Sequence, residues 1–456
     1  MEQHRITKLF FTILLFVIPV FSVFYFAITM PVSYDEACTY LLFSSKGILH
    51  TITHYPAPNN HVLYSIFTNI AYHLHFLKAL FALRLPSIFF NIITIFVVFY
   101  KSKNRFGYHF AICLTAISSV LFMNIYYGYM SRGYGLYHLM FILAFFASYD
   151  IIKKQNINQN WILFSVVSIL GFCTIPSFLY PFLILNVWIF LFDYKMIFKQ
   201  IAFGFVVITA VYLFYLPIIL FEGLEAITKN PYVQSESFFL VLRALPRFGA
   251  KMLTDIIGLN ILITAPILVF VGYNFYKTKN LFYIKSALIF ALMPFVLLAV
   301  QSVIPYVRVF NFYGFVVVFY MLIGFISKIE NLKTKFILPL LLVFQVGMIF
   351  YFYNKVYEYE NKDLAANITA SKIISIIIGN KKYFFNNALL LNNFRFEAET
   401  KGFTRAVATE NEFKKISADT LKNYDYAILS LDSDASKLLK PIFKTPYYNV
   451  YRLGNK

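Results

Sequence analysis

The sequence predicts an α-helical polytopic membrane protein with a small soluble α/β domain at its C-terminus. Three observations carry that class. Of 456 residues, 60% are hydrophobic and 13% charged, against roughly 25% charged in a soluble domain. Apolar runs of about 20 residues recur, the length a helix needs to cross a bilayer. Short basic loops follow every second run, which is the pattern of cytoplasmic loops. Lipid admits only helices and closed barrels, and these runs are continuous rather than alternating, so helices are expected.

The runs place about eleven spans, near 9–29, 85–100, 107–125, 133–152, 160–174, 176–193, 198–220, 255–275, 283–304, 309–327 and 335–353. The first is longer than a signal-peptide core and has no small-x-small cleavage site, so it reads as a retained span. Arg5 and Lys8 precede it. Lys101, Lys103 and Arg105 follow the second span, Lys153 and Lys154 the fourth, Lys195 and Lys199 the sixth, Lys277 and Lys279 the eighth, and Lys328, Lys333 and Lys335 the tenth. This alternation places the N-terminus in the cytoplasm. It places a first loop (30–84), a large loop (222–254) and the tail from 354 outside. The net charge of +19 therefore reports orientation. No basic stripe interleaved with stacking aromatics is present, so nucleic acid is not an expected partner. Cys38, Cys113 and Cys173 show neither metal-ligand spacing nor an evident pair.

From residue 354 the composition turns soluble, and this segment holds more than half of the acids. "YDYAILSLDS" and "YYNVYRL" read as strands; "DLAANITASKIISIII" and "TENEFKKI" read as helices. Residues 1–353 are thus expected to form the membrane domain, and 354–456 an extracytoplasmic α/β domain. "NIT" at 367–369 fits the glycosylation pattern, which recurs by chance and bears only on a secretory lumen.

Acidic residues locate the chemistry. In the first 353 residues Glu2, Asp150, Asp193 and Glu330 fall on the inner side. Asp35, Glu36, Glu222, Glu225, Glu236 and Asp255 fall on the outer side, and none falls at mid-membrane. Ion-coupled transporters keep ionisable groups near the bilayer centre. The pattern therefore favours polar chemistry at the outer surface over transport.

Asp35 and Glu36 lie in "PVSYDEACTYLL", directly after the first span. "SYDE" fits a capping box, with Ser33 as cap and Glu36 three residues on. Apolar residues at 37, 38, 41, 42, 48 and 49 suit an amphipathic helix lying in the interface. Capping alone accounts for this spacing. A functional reading makes the carboxylates a general base toward an acceptor hydroxyl, or oxygen ligands of a hard divalent cation such as Mg²⁺ or Mn²⁺. After Pro56 and Pro58 a second interfacial helix is expected near Asn60. Val62, Ile66, Ile70 and Leu74 would form its apolar stripe, and His61, Ser65, Thr68, Tyr72 and His75 its polar one. A histidine on such a face is commonly just interfacial, but Asn59, Asn60 and His61 make a dense polar cluster. Arg132, in "MSRGYGL", and Arg308, in "PYVRVF", also lie outside. Each is either an interfacial arginine that snorkels or a fork for a phosphate.

Four ordered motifs resemble a known family. They are "YDEACTY", "YPAPNNH" (similar to "YPEPNNH"), "LRLPSIFFN" and "SRGYGL" (similar to "ARGYSL"), with a weaker fifth in "PYVRVF". The set resembles the family-39-like glycosyltransferases of the GT-C fold. That group includes protein O-mannosyltransferases, lipid A aminoarabinose transferases and bacterial homologues. The match is good over residues 31–140 and architectural beyond.

The resemblance implies a bacterial inner-membrane enzyme. It would move a sugar, with inversion, from a polyprenyl-phosphate donor to a hydroxyl of a glycan, lipid or protein. It casts Asp35 as base or metal ligand, with Glu36 beside it and His61 at the acceptor or metal site. Arg132 and Arg308 would bind the donor phosphate, helped by Lys229, Arg243 and Arg247 of the large loop. Asn59, Asn60 and Tyr134 would line the site. Ala57 replaces the Glu of "YPEPNNH", and Tyr134 stands where the aminoarabinose transferases have a second Asp, which weakens the case for a tightly held metal. A flippase for lipid-linked sugars, or an assembly protein with the tail as binding module, would share the polytopic chain without bond cleavage.

Overall fold

The computed structural model describes residues 2–453, apart from 57, 76, 230–232, 234, 279, 332, 377–380, 403–406, 411–420, 422 and 432–439. Helix α1 (Glu2–Thr29) is followed by the first-loop helices α2 (Tyr34–Thr39), α3 (Ile48–Thr53) and α4 (Val62–His73). Next come α5 (Ala79–Ser118), α6 (Phe122–Tyr129), α7 (Tyr134–Ile152), α8 (Ile157–Thr174), α9 (Leu179–Phe192) and α10 (Ile197–Glu222). The remainder of the membrane region is α11 (Glu225–Thr228), α12 (Phe238–Ile257), α13 (Ile261–Thr278), α14 (Leu281–Gln301), α15 (Tyr313–Gly324), α16 (Ile326–Glu330) and α17 (Thr334–Tyr359).

Among the described residues, 7 helices are long and apolar enough to cross a membrane, or 8 if the bent pair α12–α13 counts as one span. The chain is a multi-pass membrane protein. Helix α5 has 40 residues, about 60 Å if straight and twice a bilayer core of about 30 Å. Gly107, at φ 81°, breaks it, so the expected spans 85–100 and 107–125 lie on either side of the break. Pro176–Phe192 and Tyr313–Gly324 are shorter apolar helices, at the positions of two further expected spans. The expected large loop differs. Most of it is helix α12, which meets α13 at 95°. The corner is Gly258, at φ 87°, where a Cβ would fall 2.4 Å from the Phe352 ring.

Helix α7 lies at the centre and is 83% buried, whereas α10 is 17% buried and presents its side chains outward. Aromatic rings fill the middle. Phe145 stacks on Trp188 at 5.3 Å and meets Phe319 edge-on at 5.0 Å. The loops gather at two ends, as the charge alternation requires. At one end Arg105 pairs with Asp150, Lys154 with Asp193, and His109 bonds Thr334. At the other, His54 pairs with Glu222, Ser235 bridges Val303, and Asp35 meets Arg132 and Arg308.

The expected boundary at 353 falls inside α17, which continues to Tyr359. Beyond it come α18 (Asn361–Ile376), β1 (Lys382–Phe385), α19 (Ala388–Thr400), β2 (Val407–Glu410), β3 (Tyr426–Ser430), β4 (Phe443–Lys444) and β5 (Tyr448–Arg452). The sheet order is β2-β1-β3-β5-β4, parallel across β2-β1-β3 and antiparallel across β3-β5-β4. Strand alternation sends Tyr383 and Phe385 to the α18–α19 face and Phe384 to the other. The helix expected over "TENEFKKI" begins inside β2, and its remainder lies outside the described residues.

Candidate functional site

The site is built on α2. Ser33 caps it in a full capping box: its hydroxyl accepts from Glu36 N at 3.3 Å, and Glu36 Oε2 accepts from Ser33 N at 3.1 Å. The capping expectation and the catalytic one therefore fall on different members of the acidic pair.

Glu36 is fully buried. Arg84 Nε donates to its Oε1 at 2.8 Å and Arg84 Nη2 to its Oε2 at 2.7 Å. Ser131 N also donates to Oε1 at 2.8 Å. Burial alone would raise the pKa of Glu36, but the Arg84 guanidinium and these hydrogen bonds outweigh it and hold the carboxyl below its usual range. Arg84 in turn donates to the carbonyls of Ala27, Met30 and Pro31 at 3.0, 2.8 and 2.6 Å. Glu36 is thus a structural strut joining α1, α2, α5 and the 131–133 turn. This corrects its expected part in catalysis and metal binding, because both of its oxygens are taken. Arg84 stands in "LRLPS" and is not among the expected site residues; an arginine inside one of the ordered motifs is the sequence signal for it.

Asp35 is the open member of the pair, with its side chain 29% exposed. Its Oδ2 lies 3.5 Å from Arg132 Nη2 and 3.5 Å from Arg308 Nη1. Two segments 176 residues apart, 132 and 308, thus converge on one carboxylate. Asn59 Oδ1 accepts from Arg132 Nη1, and Asn59 Nδ2 donates to the Asp35 carbonyl at 3.4 Å. Arg132 is 3% exposed, and its buried Nε has no hydrogen-bond partner among the described residues. Arg308 packs over the Tyr306 ring at 4.7 Å.

His61 sits at the start of α4, buried, and its Nδ1 accepts from Gly133 N at 2.8 Å. That bond places the ring proton on Nε2. Burial, with Arg132 and Arg308 nearby, holds its pKa well below the usual range, so the ring is neutral. A Cβ on Gly133 would come within 2.9 Å of His61, so only glycine allows this approach. His61 therefore holds the turn that carries Arg132, and meets Tyr134 edge-on at 5.1 Å. Asn60 is likewise turned away: its Nδ2 donates to the carbonyls of Thr51 at 2.9 Å and His54 at 3.0 Å. The Tyr134 ring lies tilted against that of Tyr127 at 4.4 Å, and the Tyr134 carbonyl accepts from Asn311 Nδ2 at 3.2 Å. Tyr134 also lines a small cavity of ≈ 20 Å³, together with Asn91, Thr94, Met123, His138 and Asn311.

The large-loop cations do not join this cluster. Lys229 pairs with Glu225 at 2.7 Å, both strongly exposed. Arg243 and Arg247 are exposed on α12. Among the described residues no ion pair links any of them to Asp35. No group of three or more His, Cys, Asp or Glu among the described residues is placed to hold a metal ion. With Glu36 occupied and the Nδ1 of His61 taken, this donor set does not fit the divalent cation considered above.

No family model matches the chain, and no curated protein matches it. Solved structures do. ArnT from Cupriavidus metallidurans bound to undecaprenyl phosphate superposes with a TM-score of 0.67 at 12% identity, over 97% of this chain and 98% of that one. The same protein in the apo state gives 0.64 at 11% identity, over 97% and 98%. At such identity the likeness is one of fold, and it spans both the helical region and the sheet domain: this chain has the GT-C architecture of ArnT.

Proposed function

We propose that this protein is a membrane glycosyltransferase. It takes a sugar from a polyprenyl-phosphate donor and passes it to a hydroxyl acceptor at the outer face of the bacterial inner membrane. The N-terminus is cytoplasmic and the sheet domain extracytoplasmic. One observation carries the reading: Asp35 stands between Arg132 and Arg308 at 3.5 Å from each, and Arg132 Nε is buried without a partner among the described residues. A carboxylate flanked by two guanidinium groups offers a base and an anion site within one side-chain length. ArnT, of the same fold, is seen bound to undecaprenyl phosphate.

In this mechanism the donor phosphate takes the guanidinium donors of Arg132 and Arg308, bidentate contacts that arginine makes better than lysine. Asp35 accepts the proton of the acceptor hydroxyl. The acceptor oxygen forms its bond to the anomeric carbon as the bond from that carbon to the phosphate oxygen breaks. The electron pair leaves with the phosphate, where the arginines stabilise the growing charge. A single displacement inverts the anomeric centre. Apolar surfaces between the spans accommodate the polyprenyl chain and keep its head at the interface.

The test is mass spectrometry of the cell envelope from strains with the wild-type protein, without it, and with Asp35→Asn. One sugar mass is expected to vanish in the last two while the variant is still made and folded. Retention of that mass in Asp35→Asn ends the assignment. Purified protein should also release polyprenyl phosphate from a labelled lipid-sugar extract; movement of the lipid without release would identify a flippase instead.

A further inference from the structure

The sheet domain does not hang free of the membrane region. It grips the first loop at three points. Asp363 Oδ1, in α18, accepts from Tyr34 N at 2.5 Å. Asn392 Nδ2, in α19, donates to Cys38 Sγ at 3.2 Å. Phe396, 3% exposed, meets Tyr40 edge-on at 5.0 Å within an apolar cluster that includes Val32, Ala37 and Leu83. All three contacts fall on the turn of chain that carries Asp35.

The junction is fixed as well. Glu360 joins α17 to α18, is 4% exposed, and accepts from the Tyr126 hydroxyl of α6. The Tyr359 ring meets Tyr126 edge-on at 5.0 Å. A domain held at its root and at its far contact has little freedom to rotate. Asp363 also feels the site directly: burial, and the Asp35 and Glu36 charges, push its carboxyl up to about 6 against the pull of the Tyr34 N–H.

Within the first loop, Ser33 and Glu36 satisfy each other and leave Tyr34 N to a group from outside. Asp363 is that group. Its acceptor is set beside the residue preceding Asp35, so it constrains where the Asp35 carboxylate points relative to Arg132 and Arg308. We infer that the C-terminal domain is a working part of the site, and that Asp363 is a positioning residue that sets Asp35 for proton transfer through the Tyr34 amide. This rests on the glycosyltransferase reading above.

The experiment uses the full chain in detergent and three measurements. They are hydrogen exchange over residues 31–44, binding of undecaprenyl phosphate, and turnover of the labelled polyprenyl-phosphate-sugar extract. Asp363→Ala is expected to speed amide exchange there at least tenfold and to lower kcat about tenfold. Undecaprenyl phosphate binding should stay within twofold, because the arginines are untouched. Asp363→Asn keeps an acceptor oxygen at the same place and should restore both exchange and kcat. Wild-type exchange and turnover in Asp363→Ala overturn the inference, as does an Asp363→Asn protein as impaired as Asp363→Ala. If Asp363→Ala is not recovered folded, Phe396→Leu loosens the same docking. It should lower kcat with binding kept; unchanged kcat there also overturns the inference. Asp35→Asn run in parallel separates the two claims. Full turnover in that variant removes the glycosyltransferase site itself, whereas lost turnover there beside a normal Asp363→Ala removes only the positioning role.

Discussion

The two outer loops carry similar polar content and have opposite fates. The first loop folds inward. Glu36, Asn60, His61 and Thr68 are all at most 3% exposed, and they hydrogen-bond to Arg84, Thr51, Gly133 and Ser65 respectively. The large loop folds outward. Phe239 is 80% exposed and Leu240 51%, while its Lys229–Glu225 and Lys251–Asp255 pairs are i,i+4 contacts on open helix surface. Such exposed pairs contribute about 0.3–0.5 kcal/mol each. A charge therefore acts strongly here only where the fold has removed water around it. On that ground the candidate chemistry is expected where the first loop meets Arg132 and Arg308 rather than on the large loop.

The comparison breaks first at Arg84. Arg84→Met strands Glu36 inside the protein, and removing one partner of a buried ion pair costs about 3–5 kcal/mol. Little monodisperse protein is expected on size exclusion, with partial recovery when Glu36→Leu is added. Wild-type yield and Tm in Arg84→Met would show that the first loop is held by something else.

The next effect is one of pH. Burial, with the Asp363 charge behind it, pushes Glu360 up from 4.5 to about 8. The folded state thus holds a proton that the unfolded state has released between those values, so stability falls as pH rises across that window and levels off above about 8. Tm measured from pH 5 to 9 should drop, and Glu360→Gln should flatten the curve. A slope unchanged in Glu360→Gln assigns the effect elsewhere.

Arg132→Gln and Arg308→Gln come third. Each removes charge-assisted hydrogen bonds of about 1.5–3 kcal/mol, so undecaprenyl phosphate should bind about 10- to 150-fold more weakly, with Tm lowered more by Arg132→Gln, whose side chain is buried, than by Arg308→Gln. The smallest effect sharpens the contrast. Lys229→Ala, Arg243→Ala and Arg247→Ala should change stability by less than about 0.5 kcal/mol, as surface changes do, and shift that binding less than threefold. A loss equal to that of Arg132→Gln would mean the large loop closes on the donor, and the two loops would no longer differ.

Much of this was legible beforehand, residue by residue. The apolar runs marked the 7 helices among the described residues that are long and apolar enough to cross, because the bilayer demands a minimum length of apolar helix. The expected pair 85–100 and 107–125 lies on either side of the Gly107 break in α5, the second reaching past the end of α5 into α6. The first-loop helix α4 reads from the sequence as an interfacial helix with an apolar and a polar stripe. In the structure Ser65 and Thr68 are buried, while of the apolar stripe Val62 is buried and Ile70 and Leu74 are 48% and 54% exposed. Lipid can cover apolar side chains, so the polar stripe is free to face the loop, where Thr68 meets Ser44 at 2.7 Å. In the sequence Asp35 and Glu36 are neighbours, with Glu36 at the capping spacing from Ser33 and both open to a catalytic or metal-binding role. Helical geometry sends adjacent side chains about 100° apart, and only packing showed which one met Arg84.

The amino-acid order alone determined the membrane-spanning class, the segregation of basic loops to one end, the capping box at Ser33 and the presence of a small terminal sheet. These follow from local periodicity, charge and length, which act within a few turns of chain. Only the tertiary structure decided that Glu36 is a strut, that Arg132 and Arg308 converge on Asp35, and that Asp363 reaches back over more than 300 positions to Tyr34. Those contacts join residues far apart along the chain. Their strength comes from burial and from angles between helices, and neither is written in the spacing of residues along any single segment.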